Sequence, residues 1–211
     1  MNKNGLTTIL LLATLLSLPA QAEPKLFGNA VTMGKVPGIK LSAKQRRTLK
    51  WYASNKAYFG AFYVVEGTDH VFWTRNFHSM KIAREAAKTG CEIVSKSKSC
   101  VLHAVLYPKG MDPNGKGLDG LGQRTAKDFE RKYPKRQKDG KFGAFAINGA
   151  HGYGASHGWD SAEEAREAAL AYCKLDSSHG MAPIGIAGRK WVESKQIDKC
   201  RVVDTHIPST D

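Results

Sequence analysis

The chain repeats itself. Phe59-Gly60-Ala61-Phe62 returns as Phe142-Gly143-Ala144-Phe145, and Ala83-Arg84-Glu85-Ala86-Ala87 returns as Ala165-Arg166-Glu167-Ala168-Ala169. Gly60 and Ala83 are 23 positions apart and Gly143 and Ala165 are 22 apart, while Cys91 and Cys173 each follow the first Ala of the second string by eight. Cys100 and Cys200 are each followed eight positions later by a proline, Pro108 and Pro208. Four matches in one order are the signature of a duplicated supersecondary unit, so whatever one half folds into the other must also fold into.

Each copy reads as hairpin, helix, strand. In the first, Tyr58 to Val65 and His70 to Arg75 are β-branched and aromatic runs around the turn cluster Glu66-Gly67-Thr68-Asp69; in the second, Asn148-Gly149 marks the turn, because both residues tolerate positive φ. Helices are expected from Ser79 to about Gly90 and from Ser161, where Ser161 and Glu164 form a capping-box pattern. Their alanines recur at helical spacing and suit close packing on a sheet. Closing strands are expected over Val101 to Tyr107 and Arg201 to Ile207. A basic helix precedes each copy, Ser42 to Ser54 with a Ser42 and Gln45 cap and a second from Thr125 to Tyr133. The expectation is an α+β fold made by tandem duplication of an α-β-β-α-β unit around mainly antiparallel sheet.

The expected divisions are a signal peptide at 1–22, a first unit at 23–108, a Gly-rich connection at 109–122 and a second unit at 123–211. Within the second unit, an insertion over 174–199 separates Cys173 from Cys200 and is expected to add a strand and a loop. In the leader, Lys3 precedes the apolar run Leu6 to Leu18, and Ala20-Gln21-Ala22 fits an A-x-A cleavage site. The apolar run is too short to span about 30 Å of hydrocarbon, so a soluble periplasmic or secreted bacterial protein starting at Glu23 is expected. An oxidising compartment turns the four cysteines into disulfides; of the three possible pairings, the repeat selects Cys91 with Cys100 and Cys173 with Cys200.

These strings (a G-A-F/I-A strand, a glycine-rich second strand, an A-x-E-A-A helix, then Cys and a later Cys-x-V strand) resemble a family of small exported bacterial proteins known as a domain of unknown function. The resemblance is best over Phe142 to Pro208 and weaker over Phe59 to Pro108, where the second strand lacks the glycines. It implies export, disulfides and duplication. Some relatives carry the label 5-aminolevulinate synthase; that reaction uses pyridoxal phosphate on a much larger fold, and no site for its Schiff-base lysine is recognisable in this chain.

Three short patterns could carry chemistry. Gly154-Ala155-Ser156-His157-Gly158 spells G-x-S-x-G, with Asp204 and His206 following in triad order. A small hydrolase using His151, Ser156, His157 and Trp159 is therefore the competing functional reading, although the repeat places Ser156 on the second strand of a hairpin and the chain cannot build the parallel sheet that a nucleophile elbow needs. His151 and His157, six apart, would face one side of a strand, but with Asp160 beyond a bend and His179 in the insertion no third ligand is evident, and no metal is assigned. The glycines at 149, 152, 154 and 158 miss the dinucleotide spacing, so no cofactor is expected.

Charge is more telling. The chain carries 32 Lys and Arg against 19 Asp and Glu. Residues 23–58 hold eight basic and one acidic side chain and residues 109–141 ten and five, whereas residues 142–211 hold seven against nine. The excess lies in the segments before the two copies: Lys44, Arg46, Arg47 and Lys50 with Trp51 and Tyr52, and Arg131, Lys132, Lys135, Arg136 and Lys138 with Tyr133. Such clusters attract polyanions by counterion release and offer aromatic faces for stacking. The leading reading is an exported binding or accessory module whose basic face meets an anionic glycan, lipopolysaccharide, phospholipid headgroups or extracellular DNA. N-terminal sequencing of the exported protein is expected to begin at Glu23; a start before residue 20 would contradict the leader assignment.

Overall fold

The structure, a computed structural model, describes residues 24–97, 99–115, 118–180 and 185–209, with side chains left out over 177–180 and at 185. The leader assigned to residues 1–22 lies outside the described residues. Twelve elements of helix and strand follow one another as β1 (Val31–Lys35), α1 (Ala43–Ser54), β2 (Gly60–Val65), β3 (Val71–Thr74), α2 (Met80–Ser95), β4 (Cys100–Pro108), α3 (Gln123–Arg131), β5 (Phe142–Ile147), β6 (Tyr153–Trp159), α4 (Ala162–Gly180), α5 (Gly185–Ser194) and β7 (Arg201–His206), with a 3-10 turn at Pro134–Arg136.

The strands form two antiparallel sheets, β1-β4-β2-β3 and β6-β5-β7. Without β1, which the sequence reading did not foresee, the orders correspond strand for strand. The first strand of each hairpin lies centrally, between its hairpin partner and the closing strand. Each sheet lies between two helices. Leu49 and Tyr52 of α1 pack on Phe62, Val64, Ala104 and Leu106 of the first sheet, and Ala83 and Ala87 of α2 pack with Ala61 and Val105. In the second unit, Ala126 of α3 and Tyr133 just beyond it pack on Phe145, Ile147 and Val203, and Ala165, Ala169 and Cys173 of α4 pack on Ala144 and Ala146. The α+β fold with one disulfide in each unit is thus what the chain adopts: Cys91 bonds Cys100 and Cys173 bonds Cys200, each pair 6.1 Å apart between Cα atoms.

The correspondence extends to single atoms. The Thr74 hydroxyl accepts from the backbone N–H of Ala61 (3.2 Å) and donates to the carbonyl of Ala83 (2.7 Å). The Ser156 hydroxyl accepts from Ala144 (3.0 Å) and donates to Ala165 (2.6 Å). In each unit one short hydroxyl side chain pins the central strand to the start of the helix that covers it. Two residues later both chains turn through a left-handed residue, Asn76 (φ 60°) and Gly158 (φ 83°), before the N-caps Ser79 and Ser161.

Three local expectations are corrected. Gly90 does not stop α2, which continues to Ser95 and ends at the left-handed Lys96. The glycine is instead a packing residue: a Cβ there would lie 2.4 Å from the Phe72 ring. The Asn148-Gly149 turn is not a two-residue turn with positive φ. The Asn148 side chain accepts from the N–H groups of both Ala150 and Gly152, and its own N–H donates to the Gly152 carbonyl, closing a wider loop. The insertion over 174–199 adds no strand among its described residues; it is the end of α4 followed by α5.

The close approach marked by Gly90 has a mirror in the second unit. Tyr172 holds the position that corresponds to Gly90, and Gly154 holds the position of Phe72; a Cβ on Gly154 would lie 2.2 Å from the Ala169 carbonyl and 2.4 Å from the Cys173 nitrogen. The missing Cβ is therefore on the helix in one unit and on the strand in the other. Gly154→Ala meets backbone and is expected to cost about 3 kcal/mol, the upper end for overpacking, whereas Gly90→Ala meets a ring that can shift and costs about 1 kcal/mol. Adding Phe72→Leu should restore part of the stability that Gly90→Ala removes. Urea unfolding with the disulfides intact measures all three.

Candidate functional site

The two units meet at a buried histidine. His78, just before α2, is 4% exposed. Its backbone N–H donates to Ala150 (2.7 Å), its Nδ1 lies 2.9 Å from the Asn148 carbonyl and its Nε2 lies 3.1 Å from the Thr125 hydroxyl. A carbonyl can only accept, so Nδ1 carries the proton and Nε2 accepts from Thr125. Burial lowers the His78 pKa to about 4; the Asn148 carbonyl opposes this, while His151 and Arg201 add to it. The contact continues through apolar packing, in which Ala150, Val192 and Ile197 of the second unit share a core with Phe77, Met80 and Leu118. The 109–122 connection is part of this junction, since Leu118 accepts from Met80 and Gly120 donates to His78.

Beside the junction opens a cavity of about 690 Å³. β3 and the chain after it contribute Val71, Phe72, Trp73, Thr74, Arg75, Asn76 and Phe77; the second unit contributes Arg124, His151 and Trp191; the end of α1 brings Asn55 and Lys56. Among these lining residues three are cations and none is acidic. Arg75 is held in place: its guanidinium lies 4.8 Å from the ring centre of Trp51 and 5.4 Å from that of Trp73, and its Nη1 donates to the Asn55 carbonyl. Arg124 is anchored through its backbone N–H on the Asn76 side chain (2.7 Å), leaving its own side chain exposed. The His151 ring packs 5.6 Å from Phe77, with its Nδ1 buried and unpartnered. Burial pulls the His151 pKa down, Asp176 opposing and Arg124 adding to the effect.

Comparison with protein-family models, curated proteins and solved structures found no match. The site therefore has to be read from its own chemistry.

Of the residues proposed for hydrolysis, only His151 reaches the cavity. Ser156 is 1% exposed with its hydroxyl spent between two backbone groups, which is not the exposed, base-paired geometry of a nucleophile. His157 lies along β6 opposite Gly143, whereas His151 falls in the loop before that strand, so the expectation that the two face one side of a strand is corrected. Trp159 packs with the alanines of α4 and β5. Among the described residues no group of three His, Cys, Asp or Glu is placed to hold a metal ion. The side chain of His179 lies outside the described residues.

The basic residues fare differently. Lys44, Arg46, Arg47, Lys50 and Trp51 are exposed on α1, and Arg131, Lys132, Lys135, Arg136 and Lys138 are exposed at the end of α3 and beyond. Two of the three aromatic residues expected beside them are not: Tyr52 and Tyr133 are buried, Tyr52 against Phe62 and Tyr133 against Phe145, because each faces the sheet its helix covers. Lys132 is also bridged to Asp128 at 2.7 Å. Arg75 escaped the sequence reading, although its i, i+2 spacing from Trp73 was a signal that both sit on one face.

A neutral, buried His78 stabilises the fold only while the unfolded chain's imidazole is also neutral. Stability should be fully present above about pH 6.5 and fall as pH drops towards 4, by up to about 3 kcal/mol from this group. His78→Asn, which keeps a donor for the Asn148 carbonyl, is expected to flatten that slope in urea unfolding between pH 7 and 4.5.

Proposed function

We propose that the protein is an exported binding module that contacts an anionic polymer of the cell envelope or its surroundings through α1. One observation carries this reading: α1 exposes four cations without a single acidic residue in its twelve, and its last turn carries Trp51 stacked with Arg75. Its other face is occupied. Gln45, fully buried, donates to the carbonyls of Val65 and His70 and fastens the helix to the β2–β3 turn, so the cations are displayed on a fixed support. The basic segment at and after the end of α3 is a weaker candidate, since Asp128, Glu130 and Asp139 flank it.

Export fits the disulfides, which persist in an oxidising compartment, and among the described residues no helix is long and apolar enough to cross a membrane. In this reading residues 1–22 are a cleaved leader, the mature protein is periplasmic or secreted, and the chain is one of the small exported bacterial proteins it resembles. The hydrolase alternative gains no support from a buried, doubly bonded Ser156.

Heparin serves as the test polymer. Retention should fall with rising salt, and Arg46→Glu with Arg47→Glu should lower the eluting salt and flatten the slope of log affinity against log salt by about one for each cation withdrawn from the polymer. Arg131→Glu with Arg136→Glu should do less. Retention that ignores salt, or that survives the α1 double reversal, overturns the proposal.

A further inference from the structure

We propose that the cavity between the two units is a binding site for a small planar aromatic anion, such as an aromatic carboxylate. This site adjoins the polymer-binding face, which it meets at Arg75, but the inference does not depend on that reading.

The cavity volume, about 690 Å³, lies in the range of small-molecule sites. Its apolar lining is mostly ring: Phe72, Trp73, Phe77 and Trp191 outweigh the small aliphatic contributions of Val71, Ala57 and Ala86. Flat, rigid walls of this kind favour a flat guest that can lie against a ring face over a flexible acyl chain. The polar lining has one sign. Arg75, Arg124 and Lys56 approach from three different segments, with no acidic residue among the lining residues to neutralise them. Arg75 is already ordered against a pair of tryptophans, so little side-chain entropy remains to be lost when it meets a carboxylate, and a guanidinium meets a planar carboxylate with paired, charge-assisted donors. The His151 ring, 5.6 Å from that of Phe77, adds a further flat surface to the lining from the second unit.

The construction of the site also explains the asymmetry of the two halves. His78 occupies the position that corresponds to Asp160 in the second unit, which is exposed and paired with Lys141. Only the first unit turns this position inward, and doing so brings the 148–152 loop and Arg124 up to β3. The lining residues from the second unit, Arg124, His151 and Trp191, all depend on that junction.

The experiment uses the mature, disulfide-bonded protein and three probes: 2-naphthoate, the uncharged 2-naphthylmethanol, and decanoate. Titration calorimetry, checked by tryptophan fluorescence, should show saturable binding of naphthoate, with naphthylmethanol and decanoate each at least about tenfold weaker. Arg124→Gln, which keeps the backbone bond to Asn76, should weaken naphthoate about tenfold without altering the weak binding of the alcohol. Trp191→Leu should weaken both ring compounds, and thermal melts verify that each variant is folded. Arg46→Glu with Arg47→Glu should leave naphthoate binding unchanged, so failure to retain heparin and failure to bind naphthoate are separate results. Absence of saturable naphthoate binding at millimolar concentration, equal affinity for the alcohol, or tighter binding of decanoate would each overturn the proposal.

Discussion

An imidazole that must stay uncharged holds the two halves of this molecule in register. His78 reaches three groups of the second unit, two of them carbonyls of a single loop, and is sealed by the apolar side chains around it. Neither sheet needs the other for its hydrogen bonds, and each has its own two helices and its own disulfide. What the junction adds is position. With it, Arg124, His151 and Trp191 line one cavity together with β3; this concave, cation-lined region is therefore a property of the pair and not of the repeated unit.

Much of the architecture could be read from the sequence, because duplication offers every element twice. The disulfides followed from the repeat without any geometric input, and so did the placing of Ser156 on a hairpin strand against the hydrolase motif it spells. Where the reading failed, tertiary contact had overruled a local rule. Gly90 carries the local mark of a helix stop, but the ring of Phe72 decides its role. Asn148-Gly149 carries the mark of a tight turn, but the Asn148 side chain prefers two N–H groups further along the loop. The site was less visible. Basic residues announced themselves by composition, yet which of the neighbouring aromatic residues face outward depends on helix phase, and there Tyr52 and Tyr133 were misjudged while Trp51 was not. The cavity was beyond reach, since its walls come from segments far apart in the chain that meet only through the His78 junction.

The hydroxyl pins show how a repeat keeps a constraint while changing the residue. Thr74 and Ser156 differ by a methyl group, yet each bonds the central strand on one side and the carbonyl of the equivalent helical alanine, Ala83 or Ala165, on the other. A donor and an acceptor on one short side chain, buried between backbone groups, are satisfied without water. Serine in such a setting mimics a catalytic signature while doing purely mechanical service.

The exchanged glycines bear on a hazard particular to duplicated chains, which is that either helix could settle on the wrong sheet while the protein folds. If α4 docked on the first sheet, the Cβ of Tyr172 would arrive where the Phe72 ring already lies. If α2 docked on the second, Gly90 would face Gly154 and leave a hole. Each helix and its own strand fit as bump and hollow, and the two pairs have the bump on opposite partners. Sequence divergence between the copies has thus given them a steric key, one that tells two similarly folded units apart.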